Sequence, residues 1–385
     1  MVPPSAPDRP RLRVLIVDDT VLYRRILSDV VASLDEADLA GTAANGRLAL
    51  ARLEQDPVDL VLLDVAMPEM DGPEALRSIR RRFPGTSVVM VSGANLSAAE
   101  ITVRCLEQGA LDFVHKPENT DPDANRRELR DKLRPLLRHE LTRRNLGRGP
   151  GPGPAPRPAG PGTEPRQAGP AVPPARPPRL AEVPRRVDVV AIGVSTGGPN
   201  ALLEVVPRLP ADFPLPVLLV QHMPPLFTAS LAAHLDQKAA VAVREAQDGE
   251  PVLPGRVYLA PGGRHMVVRR QAGEAGAGPL VIGLNDQPPE HSCRPSVDVL
   301  FRSLAAQCEG NLMAVVMTGM GSDGCEGVRA MKRRGCLCLT QSEASCVVYG
   351  MPLAVDEAGL SDEQVPLDRL ADRIVQLAGR DRGGR

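Results

Sequence analysis

The stretch VAIGVSTGGPNALL, Val190 to Leu203, sets a short apolar run before a serine among glycines, then a proline opening a helical pattern. Strand, tight turn and helix form the unit of an α/β fold, in which crossover helices join parallel strands. Gly193, Ser195 and Gly197 satisfy G-x-S-x-G, the spacing that turns a chain sharply out of a strand while the serine stays exposed. The same serine could also close an ordinary loop, so the rest of the chain has to supply its partners. Phosphate cradles fit less well. A P-loop needs lysine and then Ser or Thr after its last glycine, where Pro199 and Asn200 stand. A dinucleotide fingerprint needs glycine at position 195, so that backbone can approach a pyrophosphate.

Outward from this stretch the same rhythm continues. VDVVAIGV, PVLLVQH, NLMAVVMTG and CLCLTQ alternate with helical segments such as PSVDVLFRSLAAQ, and GRVYLAPGGRHMVVRR, between Arg256 and Leu284, predicts an antiparallel hairpin. On the amino side LRVLIVD, DLVLLDV, SVVMVSG and FVHKP alternate with helices such as TVLYRRILSDVVASL. Between the two patterns, from Gly147 to Pro184, 20 of 38 residues are Pro or Gly, too little apolar matter to offset the entropy of ordering. The expected organisation is therefore two doubly wound parallel-sheet α/β domains, 11–140 and 185–380, joined by a flexible linker at 147–184.

With 46 Lys and Arg against 47 Asp and Glu, nothing in the bulk charge attracts nucleic acid or an acidic membrane. No apolar run is long enough to span a bilayer, and the amino end is unlike a signal peptide, so a cytoplasmic protein without membrane insertion is expected. The seven cysteines form no CxxC pair, and the six histidines show no ligand spacing; buried free thiols and no zinc are expected.

Sites in open α/β sheets form outside the carboxyl ends of the strands. In the first half those positions carry Asp18 and Asp19, Asp64, Ser92 and Lys116. Three carboxylates together repel unless a cation sits among them, and Mg²⁺ with oxygen ligands resolves the conflict. One carboxylate is then free to accept a phosphoryl group, with Lys116 pairing its charge and Ser92 donating a hydrogen bond. A single Asp-Asp pair is equally a turn or a helix cap; four such features at successive strand ends favour the site.

In the second half a serine nucleophile needs a base oriented by an acid. PVLLVQHMPP brings His222 to the end of the next strand, and NLMAVVMTGMGSDG brings Asp323 out of a glycine-lined turn after a strand from Leu312 to Thr318. Each has an ordinary alternative: a histidine satisfied in the core, or an aspartate capping the helix GCEGVRAMKRRG. Their joint placement favours a Ser195, His222, Asp323 triad. The N–H groups of Thr196 and Met320 are candidate oxyanion donors, and Thr196 and Met223 are expected to line the pocket.

Residues 11 to 138, through IVDDT, LLDVAMPEMDG, VMVSG and FVHKP, resemble the receiver domains of bacterial response regulators. That resemblance implies a flavodoxin-like fold, phosphorylation of Asp64 by a histidine kinase, Mg²⁺ held by Asp19, Asp64 and the Ala66 carbonyl with Asp18 assisting, and Phe113 as an aromatic that follows Ser92. Residues from about Val187 to Leu377, through IGVSTGGP, QHMPP, YLAPGGRHM, RPSVDVLFRS, MTGMGSDG and YGMP, resemble the catalytic domain of the chemotaxis protein-glutamate methylesterases, the CheB family. This second resemblance implies a Rossmann-like hydrolase. Ser195 would be the nucleophile, His222 the base and then acid, Asp323 its orienter, and no cofactor would serve the hydrolysis. The implied substrate is a γ-glutamyl methyl ester on a chemoreceptor helix, with glutamine deamidation as a related activity. Cys293 stands where many members carry histidine. The competing class, a receiver with a DNA-binding output, lacks a basic helix-turn-helix.

Overall fold

The computed structural model describes residues 11–117, 121–147, 187–273, 276–308 and 310–379. The predicted linker, 147–184, lies outside the described residues apart from Gly147.

The first domain alternates β1 (Leu12–Val17), α1 (Val21–Ala32), β2 (Ala37–Ala43), α2 (Gly46–Gln55), β3 (Leu60–Asp64), α3 (Gly72–Arg82), β4 (Ser87–Ser92), α4 (Leu96–Glu107), β5 (Asp112–His115) and α5 (Pro122–Gly147). Its strands pair in parallel in the order β2-β1-β3-β4-β5. Strands β3 and β4 are buried throughout, as continuous apolar runs must be when helices cover both sheet faces. Asn45, Asp71 and Asn95 cap α2, α3 and α4 by accepting hydrogen bonds from Leu48, Glu74 and Ala98 N–H groups. Strand β2, ADLAGTA, was not anticipated: it lies at the sheet edge, is largely uncovered, and carries little apolar signal.

The second domain contains β6 (Val189–Val194), α6 (Gly198–Val205), β7 (Val217–Gln221), α7 (Phe227–Asp236), β8 (Ala242–Glu245), β9 (Arg256–Leu259), β10 (His265–Gly273), β11 (Gly276–Asn285), α8 (Val297–Gln307), β12 (Leu312–Val316), α9 (Cys325–Lys332), β13 (Leu337–Gln341), α10 (Met351–Glu357), β14 (Glu363–Val365) and α11 (Leu367–Ala378). Seven strands form one parallel sheet in the order β14-β13-β12-β6-β7-β9-β8, and β10 with β11 forms the separate antiparallel hairpin. The hairpin starts later than expected. RVYL is β9, paired in parallel with β7 inside the main sheet, because its alternate residues Val257 and Leu259 complete one core face. The strand expected to reach Thr318 ends at Val316. The chain winds outward from β6 in both directions, so the switch point lies between β6 and β12.

Among the described residues, no helix is long and apolar enough to cross a membrane. The seven cysteines are free, and all but Cys293 are buried.

The two domains pack through α4 and β5 of the first against α6 and α7 of the second. Ala99 and Val103 of α4 are buried in the same apolar cluster as Leu202, Phe227 and Leu231. Phe113 stacks on Phe227, and His115 meets the same ring edge-on. Glu107 pairs with His234, at 2.9 Å, and with Lys238. Asn200 donates to the carbonyls of Ala110 and Leu111 at 2.9 and 3.0 Å.

Candidate active site

The carboxyl ends of β6, β7 and β12 carry Ser195, His222 and Asp323, so three adjacent strands deliver the expected triad to one edge. The Ser195 turn is built by close approach. A Cβ on Gly193 would lie 2.4 Å from the Val297 side chain, and Gly197, at φ +74°, has the left-handed conformation that opens α6. Ser195 N–H donates to the Thr318 carbonyl at 2.9 Å, and Gln221 Nε2 donates to the Ser195 carbonyl at the same distance. The loops after all three strands are thereby tied together.

His222 Nε2 lies 2.8 Å from Asp323 Oδ2, with the imidazole only 10 % exposed. Burial works against a charged ring. The hydrogen bond to Asp323 and then the Cys293 side chain outweigh it, lifting the His222 pKa to about 9. Burial likewise opposes the charged form of Asp323, but His222 and backbone N–H groups prevail and hold its pKa below the usual value.

Asp323 does not cap the helix that follows it; Gly324 occupies that position. It instead accepts from the amino end of α8: Ser296 Oγ at 2.9 Å, Val297 N–H at 2.8 Å and Asp298 N–H at 2.9 Å. The helix dipole and these donors stabilise its charge. Asp298 in turn accepts from the N–H groups of Gly324 and Gly327, closing the loop on α8. These two roles explain the RPSVD motif, which sequence reasoning quoted without assigning a task to Ser296 or Asp298.

A cavity of about 490 Å³ spans the domain junction and is lined by Ser195, Thr196, His222, Cys293, Met320 and Asp323 on one side and by Asp112, Phe113 and Lys132 on the other. Among the described residues the Ser195 hydroxyl makes no hydrogen bond to His222 in this docked state. Met223 corrects one expectation: it is 5 % exposed and belongs to the apolar core, while Pro224 faces the cavity.

In the first domain, carboxylate oxygens of Asp18, Asp19 and Asp64 lie within 4.8 Å of one another. An all-oxygen set of three carboxylates suits a hard divalent ion. Ala66 follows β3 at an exposed position beside Asp64. Lys116 Nζ lies 2.7 Å from Asp18 and 2.8 Å from Asp64. Burial pushes the Asp64 carboxyl up to about 6 against the opposing pull of Lys116. The Ser92 hydroxyl accepts a hydrogen bond from Thr102 of α4 at 2.8 Å. Phe113 is committed to the domain junction.

Residues 14–124 match the response regulator receiver domain model, and residues 190–374 match the CheB methylesterase model. A protein-glutamate methylesterase/protein-glutamine glutaminase of Desulfotalea psychrophila is 40 % identical over 364 residues, 94 % of this chain and 98 % of that protein. Its Bordetella bronchiseptica counterpart is 42 % identical over 380 residues, 97 % and 99 % of the two chains. The crystal structure of the Thermotoga maritima CheB methylesterase catalytic domain is 38 % identical and covers 50 % of this chain and 98 % of its own, with a TM-score of 0.47. With both domain models matched in order and relatives aligned along nearly its full length, the chain belongs to the CheB family of receiver-linked protein-glutamate methylesterases, a family of hydrolases.

Proposed function

We propose that this chain hydrolyses γ-glutamyl methyl esters on the cytoplasmic helices of chemoreceptors, releasing methanol and glutamate. Ser195 is the nucleophile, His222 the general base and acid, and Asp323 the orienting acid. The observation that carries the reading is the 2.8 Å pair between His222 and Asp323 at the strand end beside Ser195. Ser195 Oγ attacks the ester carbonyl while the imidazole takes its proton; that proton then leaves with methoxide as methanol. Water, deprotonated by the same imidazole, attacks the acyl-serine and frees the carboxyl product. The ring nitrogen facing Asp323 is held there, leaving the other for the hydroxyl and water. The N–H groups of Thr196 and Met320 face the developing oxyanion, each donor contributing on the order of 3 kcal/mol. A glutamine carboxamide enters the same sequence and loses ammonia, in keeping with the glutaminase named in the relatives.

Asp64 accepts phosphate from a chemotaxis histidine kinase. Asp18, Asp19, Asp64 and the Ala66 carbonyl would hold Mg²⁺, which offsets the charge of the incoming phosphoryl group. Lys116 pairs with that group, and Ser92 turns from Thr102 toward it. The first domain restrains the second by covering it: α5 and β5 wall the cavity in which Ser195 lies, and Phe113 is pinned under Phe227. Rearrangement of Ser92 and Phe113 on phosphorylation removes that contact.

The test is methanol release from methylated receptor membranes by Ser195→Ala protein. Loss of release with Asp64 phosphorylation intact supports the assignment; surviving turnover sinks it.

A further inference from the structure

We propose that His291, fixed by Asp298 in the wall of the Ser195 cavity, is a specificity-determining residue that selects a glutamine carboxamide by accepting one of its N–H groups at Nδ1. The inference rests on the esterase reading above and adds the side chain that sets the balance between amide and ester.

His291 is displayed by a two-residue turn. Glu290 N–H donates to the Cys293 carbonyl at 3.1 Å and Cys293 N–H to the Glu290 carbonyl at 2.8 Å, closing the turn around His291 and Ser292. Both central residues have left-handed backbone, at φ +50° and +60°. Turns of this form favour Asn, Asp and Gly there, so a histidine and a serine are held in strain. Arg302 fastens the base of the turn by donating to both Glu290 oxygens, at 2.5 and 2.7 Å. Strain of this kind persists where a side chain has a task, and this turn brings His291 to the wall of the cavity that contains Ser195.

Asp298 decides which ring nitrogen is available. His291 Nε2 lies 3.0 Å from Asp298 Oδ2, and a carboxylate only accepts, so Nε2 carries the proton. Asp298 is 1 % exposed, and its other oxygen is occupied by the Gly324 and Gly327 N–H groups, at 3.0 and 2.6 Å. Turning the ring over would leave a buried carboxylate oxygen unpaired. Nδ1 of the neutral ring is thus an acceptor, and it has no hydrogen-bond partner among the described residues. The imidazole stands at the triad: a ring nitrogen lies within 4.8 Å of an Asp323 carboxylate oxygen. Asp323 itself cannot serve a substrate N–H, because both its oxygens are taken by His222, Ser296 and the first amides of α8.

An acceptor at this place has a use for an amide and none for an ester. A carboxamide can lie either way round, with its oxygen or its NH₂ toward the donors at Thr196 and Met320, and only the first orientation leads to hydrolysis. Nδ1 receives N–H and repels oxygen, so it sets that orientation. An ester is already asymmetric in shape, with a methyl group on one oxygen, and it offers no N–H. With its side chain 41 % exposed, His291 can give Nδ1 to water while an ester is bound. His291 moves no proton: the C–N bond breaks as the nitrogen takes its proton from His222, and ammonia departs as methanol does.

Phosphorylated full-length protein is assayed on receptor membranes carrying glutamine or γ-methyl glutamate at the modified positions, with ammonia and methanol release each read as kcat/KM. In His291→Asn protein the new side chain tolerates the left-handed turn, but its shorter reach withdraws the acceptor. The ammonia-to-methanol ratio should fall at least about fivefold below that of wild type. A merely structural role would lower both rates together and leave the ratio alone. A smaller fall, or a rise, overturns the inference, as does wild type that releases methanol but no ammonia. Should His291→Asn fold poorly, His291→Gly, for which the turn is unstrained, carries the same test. Absence of methanol release from phosphorylated wild type would instead defeat the esterase reading.

Discussion

Phe113 of the receiver lies flat on Phe227 of α7, their ring centroids 4.8 Å apart and their planes 11° from parallel. The aromatic expected to move with Ser92 is therefore the one that fastens the two domains. A stacked pair of this kind contributes roughly 0.5–1.5 kcal/mol beyond its buried area. Phe113→Ala should open the junction without phosphate: the basal methanol rate rises several-fold, and the ratio of phosphorylated to unphosphorylated rates falls toward one. Parallel rate measurements on both forms check this, and an undiminished ratio would show that the stack does not transmit the signal.

Asp323→Asn keeps the shape of the side chain while removing its charge. The imidazole loses the partner that fixes its tautomer, and the amino end of α8 loses the anion that three donors now address. On the precedent of other triads, kcat should fall by a factor on the order of 10⁴. KM should change little, because the Asp323 carboxylate is taken up by His222 and the amino end of α8. Steady-state kinetics separate the two parameters; a KM effect alone would make Asp323 a binding residue.

Much of this site was legible because strand ends are. An apolar run followed by Asp64, His222 or Ser195 announces both a strand and the edge on which its next residue emerges. The features that escaped are non-local. Asp112 and Asn200 look like ordinary loop and helix residues until the other domain is brought against them. Asp323 reads as a cap for α9 because that helix follows it, whereas the helix whose amino end it meets begins 26 residues earlier. RVYL was drawn into the hairpin because a short strand carries no mark of which neighbour it pairs with; burial of Val257 and Leu259 decides it. Met223, next to His222 in sequence, turns into the core because successive residues leaving a strand point to opposite sides.

Asp64→Asn should leave the basal esterase rate unchanged and abolish its response to acetyl phosphate and Mg²⁺. The half-buried Lys116 ammonium, 2.8 Å from Asp64, retains Asp18 as a partner at 2.7 Å, so stability should fall only modestly. Labelling with phosphodonor and thermal unfolding test the two statements together. Label retained by the variant would place the acceptor elsewhere.

The pH dependence follows from His222. Its pKa stands at about 9, above the ordinary 6.5, because the bond to Asp323 and the Cys293 side chain more than offset burial. A raised folded-state value means that the pair stabilises the fold fully below the ordinary value and loses this contribution as pH rises through about 9. Activity runs the other way, since the base must be neutral to take the serine proton. The rate of the unphosphorylated protein should therefore climb as pH rises toward 9, while thermal stability declines over the same interval. Cys293→Ala removes one cause of the upward shift, so the midpoint of the rate profile should move to lower pH, with the maximal rate retained. A rate profile that does not move in the variant would show that the Cys293 side chain has no influence on the base.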